Sequence, residues 1–435
     1  MNDHPTPSDP ANPIGQPLRR REDARFVTGQ GRYLDDIVYP GALFAKFVRS
    51  PHAHARIVSI DTTDALTVPG VETIVTGADL ARWTNPLRMA PAVEGLLPVT
   101  LETMPVNKVR FDGDLVACVV AHTRYAAEDA AERVSVDYDP LPPVVSAQAG
   151  LAEQSAKVDD ELDTNLISHQ TFSAGDPHGR FAAAHRIVEA RFDQPRQTHV
   201  PMEPKGCCAI WEEGRQHLTM HVGNQAPHPY RTALAARLGL EESQVTVISP
   251  DVGGAFGQKI ALSRDELTVA ALSRALKRPV RWREDRGENL LSAGHARQQT
   301  AHTRTAVDAD GRITALELQL TEDFGAYCFY PANYMARVVA MILTGPYRIS
   351  DYAFDVKVVL TNKCGAGPMR APMSITSWIM DGTMDAIARA LELDPIEVRR
   401  RNMLSPSDMP YTMPTGEVLH DVTPRETFDA VLTAF

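Results

Sequence analysis

Hydrophobic and polar residues alternate in short runs along most of this chain, and stretches of helical spacing separate the runs. The alternating or β-branched runs predict strands over residues 41–48, 115–121, 186–192 and 217–222. Three-to-four-residue spacing predicts helices over 124–134, 229–238 and 265–276. In the first helix Ala126, Ala127, Ala130 and Ala131 favour the helical state and permit close packing; in the third, Leu267, Ala270, Ala271 and Leu276 share one side. Residues 301–307 and 313–320 alternate on either side of Asp308-Ala309-Asp310-Gly311, the signature of a hairpin. Towards the end, Trp378, Ile379, Ile387 and Leu391 lie near helical spacing within 375–391.

Length and composition narrow the class. A chain of 435 residues has room for two or three domains with sizeable cores. Residues 1–13, rich in Pro, Ser, Asp and Asn, bury too little to offset their ordering entropy and are expected to be a disordered tail. Order is expected over 14–145 and 167–435, joined by a polar, acidic linker at 146–166. The apolar stretch at 338–343 is far shorter than the ~20 residues of a spanning helix. Arg19, Arg20 and Arg21 are not followed by an apolar run, so they do not read as an export signal. A net charge of −11 argues against nucleic acid as a partner, because phosphate binding demands a basic face. The short cluster Arg399, Arg400 and Arg401 reads as a helix C-terminus or a subunit contact. Cys118, Cys207, Cys208, Cys328 and Cys364 are odd in number and lack Cys-x-x-Cys spacing, which fits reduced thiols and a cytoplasmic location. Four close thiolates for an iron–sulfur cluster are missing, and no flavin fingerprint occurs.

The chemistry centres on residues 250–259, PDVGGAFGQK, where Gly253, Gly254 and Gly257 surround one aromatic residue, Phe256. Such a run brings backbone amides close to a ligand. Lys259 follows Gln258 and precedes Ile260, so the Gly-Lys-Ser/Thr of a Walker loop is absent. The adjacent glycines also break the Gly-x-Gly-x-x-Gly pattern of a dinucleotide turn.

Seven ordered segments together with this loop resemble the molybdenum-binding subunit of the xanthine dehydrogenase, aldehyde oxidase and carbon monoxide dehydrogenase family. They are IGQPLRRREDARFVTGQGRYLDDI (14–37), FVRSPHAHARI (47–57), RYAAEDAAERVSVDYDPLP (124–142), HVPMEPKGC (199–207), GNQAPHPYR (223–231), RPVRWREDRGEN (278–289) and LDPIEVRRRNML (393–404). The resemblance implies an α+β fold: an a/b hammerhead domain over 14–145, then the first molybdopterin cofactor-binding domain over 167–435. It implies that the Gln225 side-chain amide and the Phe256 backbone amide, flanked by Gly254, Ala255 and Gly257, approach an oxygen on molybdenum, and that Arg370 and Ala371 belong to a second cofactor loop. No residue here would ligate the metal, which is held through the pterin dithiolene. Neutral donors and one permanent cation suit a group whose oxygens carry negative charge that changes with redox state.

Departures from the pattern bear on the substrate. The second loop reads KCGAGPMRAPMS (363–374), with Met369, Ala371 and Pro372 in place of an aromatic residue and a glycine-rich run. Ala371 stands where copper-binding carbon monoxide dehydrogenases have cysteine, which sets that branch aside. Cys364 reads as a small apolar residue. Ile260 stands where purine-oxidising members have glutamate, so xanthine is disfavoured. Ile260 and Pro372 would line an apolar pocket, and Arg337 is either a contact for an anionic substrate group or a helix-surface arginine. An N-heteroaromatic acid, a purine-like alkaloid and an aldehyde all fit.

The family's general-base glutamate lies in a Gly-Val-Gly-Glu segment that does not occur in this sequence. The expectation is therefore a large subunit of a molybdenum hydroxylase, using water as oxygen source, that contains no catalytic residue itself. A second molybdenum-binding subunit would carry the C-terminal half and the base; truncation of a longer product is the competing account. The cofactor expected is molybdopterin, in its cytosine dinucleotide form, with a [2Fe-2S] subunit and an FAD subunit or a haem cytochrome carrying electrons away. Two other readings stand beside it: a non-catalytic assembly or binding subunit, and a cysteine hydrolase using Cys207 or Cys208 with His199.

Overall fold

The computed structural model describes residues 16–88, 94–327 and 335–435. The predicted tail at 1–13 and Cys328 lie outside the described residues.

Two sheets organise the chain. A seven-stranded mixed sheet runs in the spatial order Val245–Ile248, His217–Val222, Gly206–Glu212, Val280–Arg283, Leu43–Arg49, Leu115–Ala121 and Val71–Thr76. Leu115–Ala121 is buried along its whole length because both faces are covered. Leu115, Cys118 and Val120 face the helices Pro227–Leu238 and Arg264–Leu276, while Val119 and Ala121 pack on Ala127 and Ala130 of helix Arg124–Ala131. A strand buried on both sides reads as a continuous apolar run, which is why LVACVVA was legible as a strand. The early and late parts of the chain share this sheet through parallel pairing of Leu43 with Val280 and Phe44 with Arg281.

The second sheet has five strands, in the order Arg186–Asp193, Gln299–Val307, Ile313–Gly325, Tyr352–Leu360 and Leu166–Ala174. The predicted hairpin forms, with Gly311 at φ 77° and the Asp308 N–H donating to Arg312 O at 3.0 Å. Its second strand extends beyond the predicted end at residue 320, through Glu322 and Asp323, whose buried carboxylates sit among Gln299, Arg196, Thr361 and Lys363. Helix Ile375–Leu391 forms with the predicted bounds and buries Ile379, Met380, Met384 and Ile387 against this sheet. Helix Arg264–Leu276 starts one residue earlier than its pattern because Ser263 caps it and pairs with Glu266 in a reciprocal capping box.

Between the sheets' connections, the 146–166 stretch contains the short helix Ala147–Gly150 and the buried Asn165, whose Oδ1 accepts from Val158 N–H at 3.0 Å and whose Nδ2 donates to Ala156 O at 2.8 Å. Arg399, Arg400 and Arg401 do close a helix, Pro395–Asn402. Their partners are Asp381, Asp385, Glu397, Asp429 and the Asp310 carbonyl, all in this chain. Among the described residues no helix is long and apolar enough to cross a membrane.

Candidate cofactor site

The glycine loop leaves the edge strand Val245–Ile248 of the seven-stranded sheet, and the second loop leaves Tyr352–Leu360 of the five-stranded sheet. The two loops meet. Arg370 N–H donates to Phe256 O at 2.8 Å, and the Arg370 guanidinium lies over the Phe256 ring, 4.7 Å from its centroid. Gln225, between strand His217–Val222 and helix Pro227–Leu238, joins them: its N–H donates to Lys259 O at 2.9 Å and its Oε1 accepts from Gly257 N–H at 2.9 Å. Residues distant in sequence thus converge on one exposed face, where Phe256 retains 37% of its accessible surface.

Glycine at 257 is required by that meeting. A Cβ there would stand 2.0 Å from Pro368 O, and the residue's φ is 108°. The loop is bolted from behind by Glu203, whose Oε2 accepts from Gly253 N–H at 2.9 Å and from Lys259 Nζ at 2.9 Å. Lys259 is 1% exposed, and burial draws its pKa down against the pull of Glu203. Gln258 is fixed by Asn289, whose Nδ2 donates to Gln258 Oε1 at 2.9 Å and to Glu284 at 2.7 Å. Upstream, Arg25 holds both oxygens of Asp251 and the Arg32 N–H reaches the same carboxylate, which pulls its pKa down to about 2.

Donors remain free on the exposed face. Among the described residues the amides of Gly254, Ala255, Phe256 and Ala371 donate to no acceptor, Gln225 Nε2 has no acceptor, and Arg370 has no carboxylate partner. Three successive amides without acceptors, beside a guanidinium, suit a negatively charged or oxygen-rich group. Among the described residues no group of three or more His, Cys, Asp or Glu side chains could hold a metal ion. The donors present fit an oxygen-rich cofactor held by hydrogen bonds and charge. Around the same face Val200, Phe256, Arg297, Gln298 and Arg370 have φ between 43° and 70°. Gln216, Lys277 and Glu392, also left-handed, are helix C-caps where that conformation is ordinary. Left-handed side-chain-bearing residues away from caps are strained and tend to gather at functional sites.

The other sequence-predicted residues fall nearby. Pro372 begins a short 3₁₀ turn, Pro372–Ser374, leading into helix Ile375–Leu391, and Ile260 is half-buried just after Lys259. Arg337 lies on helix Met335–Met341, which packs against that turn, and is half-buried. Cys364 is buried in the apolar core. Sequence reasoning missed Glu203, Arg297 and the structural use of His199. His199 Nε2 donates to Pro368 O at 2.6 Å, and Arg297 donates to the carbonyls of Met369 and Pro372. The cysteine-hydrolase reading fails here. Cys207 and Cys208 are buried within strand Gly206–Glu212, burial pushes the Cys208 thiol up to about 12, and His199 is committed to Pro368.

Comparison with known proteins matches both parts of the chain. The description "Molybdopterin cofactor-binding domain" matches residues 158–403, and "Aldehyde oxidase and xanthine dehydrogenase, a/b hammerhead domain" matches residues 28–142. The nicotine 6-hydroxylase large subunit of Paenarthrobacter nicotinovorans is 36% identical over 425 residues, which span 97% of this chain and 52% of that protein. The nicotinate dehydrogenase large molybdopterin subunit of Eubacterium barkeri is 29% identical over 410 residues, spanning 94% of this chain and 92% of that protein. Quinoline 2-oxidoreductase from Pseudomonas putida 86 superposes with a TM-score of 0.93 at 38% identity, over 96% of this chain and 53% of that one. The chain thus spans about half the length of the nicotine and quinoline relatives. With a hammerhead domain leading into a molybdopterin-binding domain, this chain belongs to the large molybdopterin-binding subunits of the aldehyde oxidase and xanthine dehydrogenase family.

Proposed function

We propose that this chain forms one wall of the active site of a multi-subunit molybdenum hydroxylase acting on an N-heteroaromatic compound or an aldehyde. The observation that carries the reading is the convergence on one face of the Gln225 side-chain amide, the Phe256 N–H and the Arg370 guanidinium, which have no acceptor among the described residues. Bound molybdopterin, in its cytosine dinucleotide form, would supply two-electron redox chemistry that places a water-derived oxygen on an electron-poor carbon. Gln225 Nε2 and the amides of Gly254, Ala255 and Phe256 would hold the group's negative side, and Ala371 N–H would add a further donor. Arg370 would offset negative charge. None of these residues accepts the proton. The general-base glutamate is proposed to reside on a partner chain; the relative from Eubacterium barkeri, 92% of which is spanned, supports a divided subunit. An iron–sulfur subunit, and an FAD subunit or cytochrome, would take the electrons in the cytoplasm.

Relatives named for nicotine and quinoline favour the heteroaromatic class, and half-buried Ile260 and Pro372 supply apolar surface beside the loops. That Arg370 lies over Phe256 in a loop carrying Met369, Ala371 and Pro372 argues against a subunit that has lost its chemistry. Molybdenum quantification on the assembled complex, with heterocycle-dependent dye reduction, tests the reading. Arg370→Ala should leave molybdenum content and thermal stability near wild type while lowering kcat/KM by about 10²-fold. A complex without molybdenum, or full turnover in Arg370→Ala, would overturn it.

A further inference from the structure

We infer that Arg297 is the positioning residue that sets the posture of Arg370, an inference resting on the role proposed for Arg370 above. Arg297 ends the short strand Ala296–Arg297. Its Nη1 donates to Pro372 O at 3.0 Å and its Nη2 donates to Met369 O at 3.0 Å. These carbonyls bracket Arg370, so one planar fork spans the segment that carries it. A guanidinium makes both bonds at once because its N–H groups diverge in a fixed geometry, which an ammonium lacks.

The side chain is held for this task from behind. Arg297 and Gln298 are consecutive left-handed residues, at φ 70° and 68°. Neither is glycine, so their surroundings must impose the conformation. Arg196 pairs with Arg297 across the two-stranded ladder, and its guanidinium donates to Gln298 Oε1 at 2.6 Å and to Cys364 O at 2.9 Å. The kinked backbone aims Arg297 at the second loop. Burial lowers its pKa, and among the described residues its acceptors are the loop carbonyls of Pro372 and Met369. His199 secures the preceding carbonyl, Pro368 O. With the carbonyls of Pro368, Met369 and Pro372 tied down, Arg370 keeps φ 48° and stays over Phe256. Arg370 has no acidic partner of its own among the described residues, so the loop's anchoring is what keeps its charge at the site.

The test is a double-mutant cycle in the assembled enzyme with Arg297→Met, Arg370→Ala and the pair together, plus Arg297→Lys. Arg297→Met should lower kcat about 10-fold or more with KM little changed and molybdenum retained. Arg297→Lys should restore only part of that loss. The pair should be no worse than Arg370→Ala alone, because one residue acts through the other. In the apo chain, hydrogen exchange at the Arg370 and Ser374 amides, bonded to Phe256 O and Ala371 O, should speed up about 10-fold in Arg297→Met while Leu115–Ala121 is unaffected. Additive losses in the pair, or unchanged exchange in the loop, would overturn the inference. Full activity in Arg370→Ala alongside faster loop exchange in Arg297→Met would instead count against the cofactor-facing role of Arg370.

Discussion

At the scale of single residues, the site is made by groups whose partners are backbone atoms. Gly257→Ala should be among the costliest one-atom changes in the chain, since the new Cβ would meet Pro368 O at 2.0 Å with φ at 108°. A loss of about 3 kcal/mol or more is expected in urea unfolding, with both loops displaced. Glu284 supplies a pH-dependent term. Burial, opposed by Lys205, pushes its carboxyl from an ordinary 4.5 up to about 7. The folded state therefore binds this proton more tightly than the unfolded chain. Its stabilising contribution is complete below about pH 4.5 and is lost as pH rises through about 7. The Glu284 contribution to unfolding free energy should fall by ~1–3 kcal/mol between about pH 5 and pH 7.5, against the opposite slope of His54, His199, His221 and His295, whose pKa burial lowers; Glu284→Gln, which still accepts from Lys205 N–H and Asn289 Nδ2, should remove the Glu284 part, read as the difference from wild type. Glu322, pushed up to about 8 by burial, leaves a residual slope of the same sign. Gln225, Phe256 and Arg370, which the structure brings together, could be nominated from the sequence because they sit in segments of recognisable pattern. Arg297 and His199 were not, because a side chain that binds carbonyls across the fold leaves no periodicity or spacing in the chain.

At the scale of elements, the helices and buried strands were legible where packing and pattern agree, as in Leu115–Ala121 and Ile375–Leu391. One miss came where polar residues are buried in pairs. The strand Ile313–Gly325 was cut short at Thr321-Glu322-Asp323 because charge in a sequence reads as surface, whereas here Arg196 and Lys363 neutralise Asp323. Strand Ser135–Pro140 went unseen since its mixture of acidic and apolar residues blended into the preceding helix pattern. The same logic sets the worth of Lys259 and Glu203, which join the glycine loop to the segment before strand Gly206–Glu212. Glu203→Ala would leave a buried ammonium without its counter-charge and should cost ~3–5 kcal/mol by denaturant unfolding. Adding Lys259→Met should recover part of that loss, since no charge then remains to be solvated.

At the scale of the whole molecule, the hammerhead and cofactor-binding regions are knit by a common sheet in which Leu43–Arg49 pairs with both Leu115–Ala121 and Val280–Arg283. Expressed alone, the 146–435 portion would expose the edge of Val280–Arg283 and the apolar face that Leu43, Phe47 and Leu115 cover. It should aggregate, whereas co-expression with 1–145 should return a soluble pair that elutes together. Size-exclusion chromatography of the two preparations checks this. The contact between Gly257 and Pro368 has a consequence for descent as well as stability. Because the first loop has no room to yield at Gly257 and the second is tied through three backbone carbonyls, the path of the second loop is fixed while its side chains are free to change. A chimaera that imports the 363–374 stretch from a relative should therefore still seat both loops, whereas the same exchange combined with Gly257→Ala should displace them.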